Sequence, residues 1–391
     1  MWPFALVAVV AVVVGLWFGG HPNWLPSPLR SVFVSQTSNE QRVQEVLDLI
    51  SHDYFRKVNT RNLVNVGLEA AVASLHDPYS HYFPPSGYQS FLSETNPQET
   101  GIGVDVTARP AGLAILEVFP DSPAARGGLV AGEVITAVGS QSLRGHTATY
   151  ASGLIKGRAG TAVNLTVRHG ASVHHVRLVR ANVTVPVAAS RLLSYHGLKL
   201  GYLAFTAFTE GSGAELKAQV QKMLHAGAQG LILDLRDNGG GLLEEAIKVA
   251  SLFIPDGTIV TTRGRSQPTE VYTALGDAIA PKLPMVVLVN RDTASSAEIV
   301  TGALKDRGRA EVVGTNTYGK GVFQEIQNLP GGGALDITVG EYFTPNGQNL
   351  GGGGVREGRG IEPNVFVRDN PAHPGVRTLQ TGERVLASKI R

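Results

Sequence analysis

Cysteine is absent from this 391-residue sequence, which excludes disulfides, thiol catalysis and cysteine-bound metal together. Charge is also scarce: charged residues make up 17%, below the usual ~25%. The 34 Lys and Arg against 32 Asp and Glu leave a net charge of +2, which argues against a nucleic-acid or general polyanion binder. Three hydrolase signatures are missing as well. No Gly-x-Ser-x-Gly elbow, Ser-x-x-Lys or His-Glu-x-x-His occurs, so an α/β-hydrolase triad and a zinc protease both lose their motifs. The eleven histidines include one adjacent pair, His174-His175, in a strand-turn context that suits solvation better than metal. Nothing here calls for a metal or a cofactor. What the chain has in excess is glycine, 47 residues or about 12% against a usual ~7%, with no collagen-like period. A globular chain with many tight turns follows, and its length suggests two or three domains.

The first segment bears on compartment. From Trp2 to Gly20 there is no ionisable side chain, and the first Lys or Arg is Arg30. This approaches the ~20 residues needed to cross a bilayer. The n-region is only Met1 and the exit Gly19-Gly20-His21-Pro22 offers no Ala-x-Ala site, so a retained anchor over residues 1–20 is favoured over a cleaved signal. Either exports the rest of the chain. Pro22, Pro26 and Pro28 make Pro22 to Ser31 a stiff spacer within a linker over 21–37. A helical segment is expected over 38–95, opening with Ser38 and Gln41 as a capping box and carrying Val43, Val46, Leu47, Ile50 and Tyr54 at helical spacing. A second helix, Thr60 to Leu75, should stop before Asp77-Pro78.

From about Thr100 short strands and glycine turns take over. Gly101-Ile102-Gly103-Val104 opens one strand and Leu113 to Val118 forms another. Asp121-Ser122-Pro123-Ala124-Ala125-Arg126-Gly127-Gly128-Leu129 then leads into Ala131-Gly132-Glu133-Val134-Ile135-Thr136-Ala137-Val138-Gly139. Residues 96–182 resemble a PDZ domain, with Val104 where many such domains carry an aromatic. Backbone N–H groups of a Gly-x-Gly loop can hold a terminal carboxylate while a peptide adds as a strand beside it. In isolation Gly101 and Gly103 would mark only a turn. Within the PDZ-like frame, Gly101, Ile102, Gly103 and Val104 are expected to bind a peptide C-terminus.

Beyond Thr184 strands and helices alternate, which argues an α/β core. Leu200–Phe205, Gly230–Leu235 and Pro284–Val289 read as strands. Helices are expected from Leu242 to about Phe253 and from Ser296 to Lys305, with a surface helix from Thr381 to Ile390 in the tail, 371–391. Gly314-Thr315-Asn316-Thr317-Tyr318-Gly319-Lys320 matches seven positions of a phosphate-binding loop. The eighth is Gly321 instead of Ser or Thr, and Val322, Gln324 and Ile326 look extended where a helix should follow. Nucleotide binding is therefore disfavoured. At the junction after the buried strand, Thr293, Ser295 or Ser296 could simply cap a helix, or a serine there could be an exposed nucleophile beside helix amides.

Three blocks occur in order: Leu233-Asp234-Leu235-Arg236-Asp237-Asn238-Gly239-Gly240-Gly241, then Thr293 to Ile299, then Tyr318-Gly319-Lys320-Gly321 with Gln324. With Asp77-Pro78-Tyr79-Ser80 and the PDZ-like module, they make the chain similar to the carboxyl-terminal processing peptidases, a Ser-Lys family, over about Ser38 to Asp369. The resemblance implies a crotonase/ClpP-like α/β protease core over 183–370, with the mainly-β PDZ domain inserted after the N-terminal helices. It implies Ser295 as nucleophile, Lys320 as general base and Gln324 as the residue orienting it. Gly240 or Gly241, with the amide of Ser296, would form the oxyanion hole. Glu298 and Asp306 fall on recurrent family positions and are expected to give structural support. The family block reads Ser-Ala-Ser-Glu where this chain has Ser295-Ser296-Ala297-Glu298, and the 25-residue step to Lys320 favours Ser295 over Ser296.

A lysine at its reference pKa of ~10.4 is almost wholly charged at pH 7, and lowering it to near 7 costs roughly 4–5 kcal/mol. Lys320 should therefore lie under apolar cover. The resulting expectation is a single-pass membrane-anchored serine endopeptidase, its catalytic part outside the cytoplasm. It would trim C-terminal regions of extracytoplasmic proteins, with the PDZ domain holding the substrate tail or gating the site. Homo-oligomerisation is left open. The alternative is a non-catalytic PDZ peptide-binding scaffold, against which the intact Ser295, Lys320 and Gln324 set argues. An acyl-CoA enzyme on the related fold fits poorly with export.

Overall fold

A computed structural model describes residues 39–95 and 98–390. The apolar run at 2–20 and the proline-bearing spacer to 37 lie outside them. Among the described residues, no helix is long and apolar enough to cross a membrane. The chain divides after Pro84 into two compact units.

The first unit holds helix α1 (Asn39–Asp53), helix α2 (Thr60–Ala73) and the short strand β1 (His81–Phe83). Asn59 caps α2, its side chain accepting from the Asn62 amide at 3.2 Å. The Asp77 carboxylate folds the following turn by accepting from Tyr79 N at 3.0 Å and Ser80 Oγ at 2.7 Å. Helix α2 forms within two residues of its expected bounds and α1 covers the expected helical stretch, while the expected capping serine, Ser38, lies outside the described residues; neither helix buries a residue.

The second unit opens with α3 (Pro85–Thr95) and β2 (Gln98–Gly101). A β-rich module follows, consisting of β3 (Val104–Arg109), β4 (Gly112–Val118), the single turn α4 (Pro123–Arg126), β5 (Val134–Val138), β6 (Gln141–Ser142), α5 (Ala148–Ile155), β7 (Ala162–His169) and β8 (Ser172–Val179). Its sheet runs β3-β4-β5-β7-β8, and alternate residues such as Leu113, Ile115, Val163, Leu165 and Val167 point into one core. The chain leaves through β9 (Ala181–Thr184), which pairs antiparallel with β2, so entry and exit form one two-stranded stem.

The α/β core comprises β10 (Ala188–Tyr195), β11 (Leu198–Phe205), α6 (Ser212–His225), β12 (Gly230–Asp234), α7 (Leu243–Ser251), β13 (Thr258–Gly264), β14 (Glu270–Thr273), β15 (Met285–Val289), α8 (Ser296–Asp306), β16 (Glu311–Gly314), β17 (Val322–Asn328), β18 (Ala334–Phe343), β19 (Val365–Phe366) and α9 (Val376–Ile390). Its main sheet is ordered β10-β11-β12-β15-β16-β19, antiparallel at the first pair and parallel across the rest. Every residue of β12 and β15 is buried, which explains their unbroken apolar sequence: both faces of the sheet are covered. Leu231, Leu233 and Val287 face one core with Leu216, Val249 and Val300 of α6, α7 and α8. Ile232, Val286 and Leu288 face the other with Leu386 of α9.

The tail helix departs from expectation. It begins at Val376, five residues earlier than Thr381, and it is packed on the sheet instead of lying on the surface. Its buried stripe of Thr378, Thr381, Gly382, Leu386 and Ala387 contains too few large apolar residues to announce itself. Gly382 admits the side chain of Leu288, whose Cδ2 would lie 2.7 Å from a Cβ there. The strand β17 follows Lys320 directly, so no helix N-terminus stands where a phosphate-binding loop would need one.

Because Leu386 is fully buried in this second core, Leu386→Ala is expected to cost about 2–5 kcal/mol in urea unfolding. A loss under about 0.5 kcal/mol, typical of a surface position, would contradict this packing.

Candidate active site

Strand β15 ends at Val289 and α8 starts at Ser296, and the turn between them carries the candidate serine. Thr293 fixes that turn: Asn290 N donates to its Oγ1 at 3.0 Å, and Oγ1 donates to Leu235 O at 2.8 Å. Ser295 is the N-cap of α8 with φ +54° and ψ −121°, a conformation that costs a non-glycine residue about 1–3 kcal/mol. The turn that carries Ser295 lies at the carboxyl edge of the parallel sheet.

The neighbouring Ser296 is fully buried, and its Oγ donates to Gly241 O at 2.7 Å. Ser295 is only half-buried. Between the two hydroxyls, Ser295 is the one a substrate can reach.

The glycine turn after β12 lies directly against this serine. A Cβ on Gly240 would sit 2.8 Å from Ser295 Cβ and 2.9 Å from Ser296 N, at a φ of +98°. Only glycine allows that approach. Asn238, fully buried, ties the turn in place: its Nδ2 donates to Phe205 O at 2.8 Å, its backbone O accepts from Ala294 N at 2.9 Å, and its Oδ1 accepts from Gly240 N at 2.9 Å. The Gly240 amide is thus already donated in this conformation. The Gly241 amide has no acceptor among the described residues.

Lys320 is half-buried, and its Nζ donates to Gln324 Oε1 at 2.8 Å. Gln324 Nε2 donates in turn to Thr338 Oγ1 on β18 at 3.0 Å, which fixes the amide's orientation toward the lysine. Sequence patterns gave no signal for Thr338, because β17–β18 register alone brings it opposite Gln324.

Two links join the serine and lysine segments: the Tyr318 amide donates to Thr293 O at 2.9 Å, and Glu298, on the first turn of α8 and wholly inaccessible, reaches both. Its Oε2 accepts from Ser295 N at 3.0 Å and from Lys320 N at 2.9 Å. Its Oε1 accepts from Gly319 N at 2.7 Å and from Thr317 Oγ1 at 2.5 Å. One carboxylate oxygen is therefore shared by the backbone amides of both candidate catalytic residues. Burial pushes this carboxyl above the usual range, while Thr317 and the three amides, all donors, pull it back. The expectation of a supporting role for Glu298 is met, with a sharper content than spacing could supply. Thr317 had no sequence signal as a participant. Asp306, also expected to support, holds the Asn346 amide at 3.0 Å.

A second, half-buried cluster stiffens the end of β12. Arg236 Nε donates to Asp234 Oδ1 at 2.8 Å, Arg236 Nη1 to Gly375 O at 2.7 Å, and Tyr202 OH to Asp234 Oδ2 at 2.7 Å. Burial, with the Asp234 charge beside it, pushes the Tyr202 hydroxyl up to about 12, so it stays a donor.

Gly101, Ile102, Gly103 and Val104 lie apart from these residues, in the β-rich module. There they line an apolar groove between β3 and α5 with Val106, Phe119 and Ile155. Gly103 has φ +78°, and Ser122 packs where its Cβ would be. Val183 and Val185, on and just after β9, wall the same groove.

Comparison with known proteins matches residues 199–367 to Peptidase family S41, 115–169 to a PDZ domain and 30–85 to the Activating protease CtpB N-terminal domain. The "Probable CtpA-like serine protease" of Staphylococcus aureus (strain MRSA252) is 30% identical over 354 residues, 88% of this chain and 69% of that protein. The "Carboxyl-terminal-processing peptidase 2, chloroplastic" of Arabidopsis thaliana is 33% identical over 330 residues, 81% of this chain and 64% of that protein. Among solved structures, the photosystem II D1 C-terminal processing protease superposes with a TM-score of 0.54 at 28% identity, covering 91% of this chain and 94% of that one.

Glu298→Ala strands a hydroxyl and three amides, each worth about 1–3 kcal/mol when buried without a partner. A loss of about 3 kcal/mol or more in chemical unfolding is expected. A loss below about 1 kcal/mol would show that the carboxylate does not hold these segments together.

Proposed function

Since the chain belongs to the carboxyl-terminal processing serine peptidases of family S41 and carries their PDZ domain, we propose that it hydrolyses peptide bonds with Ser295 as nucleophile and Lys320 as general base. The observation that supports this most is the shared Glu298 oxygen, which sets both backbones in one frame, with Gln324 on the lysine amine. The Ser295 Oγ bonds to the scissile carbonyl carbon while its proton passes to neutral Lys320 Nζ. The C–N bond then breaks, and the leaving amine takes that proton. Water next attacks the acyl-enzyme, again giving a proton to Lys320, and Ser295 regains its hydrogen as the new carboxyl group departs. No metal or cofactor enters these steps.

Negative charge on the carbonyl oxygen needs donors placed in advance. The Ser296 amide, at the start of α8, is one. Of the two glycine amides, Gly241's is available in this conformation, and Gly240's becomes so only if it leaves Asn238 Oδ1. Substrates are proposed to be extracytoplasmic proteins, the chain being held at the cell membrane by the Trp2–Gly20 segment, whose length suits a single span. The groove at Gly101–Val104 is proposed to take the substrate's C-terminus as a strand added to β3.

Ser295→Ala and Lys320→Ala are each expected to abolish peptide hydrolysis while leaving the melting temperature near that of the wild type. Full turnover by Lys320→Ala would remove the dyad. For the groove, blocking a bound peptide's terminal carboxylate as an amide should weaken binding by roughly tenfold or more in fluorescence polarisation, since the charge-assisted bonds to backbone N–H groups are lost. Equal affinity of the two peptides would place recognition elsewhere.

A further inference from the structure

The run Gly351–Gly354 takes no part in the chemistry above, yet it lies against the backbone that carries the lysine. Gly321 N donates to Gly354 O at 3.0 Å, Arg356 N to Gly319 O at 3.0 Å and Gly358 N to Tyr318 O at 2.7 Å. Lys320 itself forms an antiparallel bridge with Val355. The Tyr318–Gly321 segment is therefore held in a cradle, with Glu298 as one wall and this loop as the other.

The fit depends on missing side chains. A Cβ on Gly351 would lie 1.9 Å from Gly354 O and 2.8 Å from Gly319 O. A Cβ on Gly321 would lie 2.3 Å from Gly351 N and 2.6 Å from Asn349 Oδ1.

Asn349 gives the loop its shape. Its Oδ1 accepts from Gly351 N at 2.9 Å and from Gly353 N at 2.8 Å, so one side-chain oxygen folds the glycine run. Its Nδ2 donates to Tyr342 O at 3.2 Å on β18. That same strand supplies Thr338, which orients Gln324 toward the lysine amine. Tyr342 N also donates to Gly321 O at 2.8 Å. Asn349 thus anchors the outer wall of the cradle to the strand that aims the partner of Nζ.

We propose that Asn349 is a positioning residue for Lys320, acting through the Gly351–Gly354 loop to fix the backbone from which the amine projects. The proposal presupposes the Ser295–Lys320 dyad. Its physical content is placement and dryness. A lysine whose backbone drifts loses its line to Ser295, and it also meets more water, which favours the ammonium form over the free base.

The test measures the pH dependence of fluorophosphonate inactivation of the full chain, with kcat and KM on a peptide substrate and the melting temperature alongside. In Asn349→Ala, kcat and the inactivation rate should fall about 10- to 100-fold, as expected for a catalytic group displaced by about 1 Å. KM should stay within about twofold, because no substrate contact is removed. The acid limb of the pH–rate profile should move to higher pH, since a more easily protonated lysine is neutral only in more alkaline solution. Asn349→Ser, which keeps a shorter oxygen, should move all three readouts the same way by less.

A pH profile superimposable on the wild type, or activity lost only in proportion to unfolded protein, would overturn the proposal. Failure of both variants to fold would do the same, making the role purely structural. Full activity of Lys320→Ala would instead remove the dyad. An inert Lys320→Ala alongside an unshifted Asn349→Ala profile would leave the dyad standing and remove only the positioning role.

Discussion

A single buried carboxylate sets the geometry of this site. Glu298 reaches back to the amide of Ser295 and across to the amides of Gly319 and Lys320, with Thr317 completing its four donors. Its position three residues into α8 is the helix-capping position, so the interaction that starts a helix also joins it to a distant loop. Both the serine and lysine segments are irregular backbone, and they are tied to each other by this carboxylate and by the Tyr318 amide on Thr293 O at 2.9 Å. Sharing one acceptor removes their independence. Burial makes the arrangement costly to disturb, since any donor that leaves Glu298 must find another acceptor without water nearby.

The sheet explains why the carboxylate stands there. Parallel strands β12 and β15, buried on both faces, bring the glycine turn and the serine turn to the same carboxyl edge, where α/β folds present their ligands. Thr293 then ties the serine turn to Leu235 at the end of β12, and Asn238 ties the glycine turn to Phe205 and Ala294. Part of the glycine excess that stands out in the composition lies where backbone meets backbone. Gly240 against Ser295, and Gly321 and Gly351 against each other, leave no room for a Cβ. Ser295 itself bears the corresponding strain in its positive φ.

Much of this was legible in the sequence. Helix starts at Ser296 and Thr60, the apolar strands and the extended stretch after Lys320 are local signals, and local physics decides them. The extended Val322–Asn328 also disposes of the phosphate-loop match, which depended on a helix that is not there. The choice between Ser295 and Ser296 was open on residue type alone; the buried hydroxyl of Ser296, spent on Gly241 O, favours Ser295. Contacts through the fold were not legible. Thr338 meets Gln324 by strand register, and Thr317 meets Glu298 across 19 residues. Asn349 reaches the lysine's frame through glycine amides. The tail helix reads as a surface element because most of its buried stripe is threonine, glycine and alanine, residues whose small size matters more here than their polarity.

The chemistry of this site turns on which side chain reacts. Peptide mapping by mass spectrometry after fluorophosphonate treatment of the full chain gives the most direct answer. A single adduct on Ser295 is the predicted result, because the Ser296 hydroxyl is sealed against Gly241 O while Ser295 is only half-buried. An adduct on Ser296, or none on either serine in protein that cleaves peptides, would contradict the account.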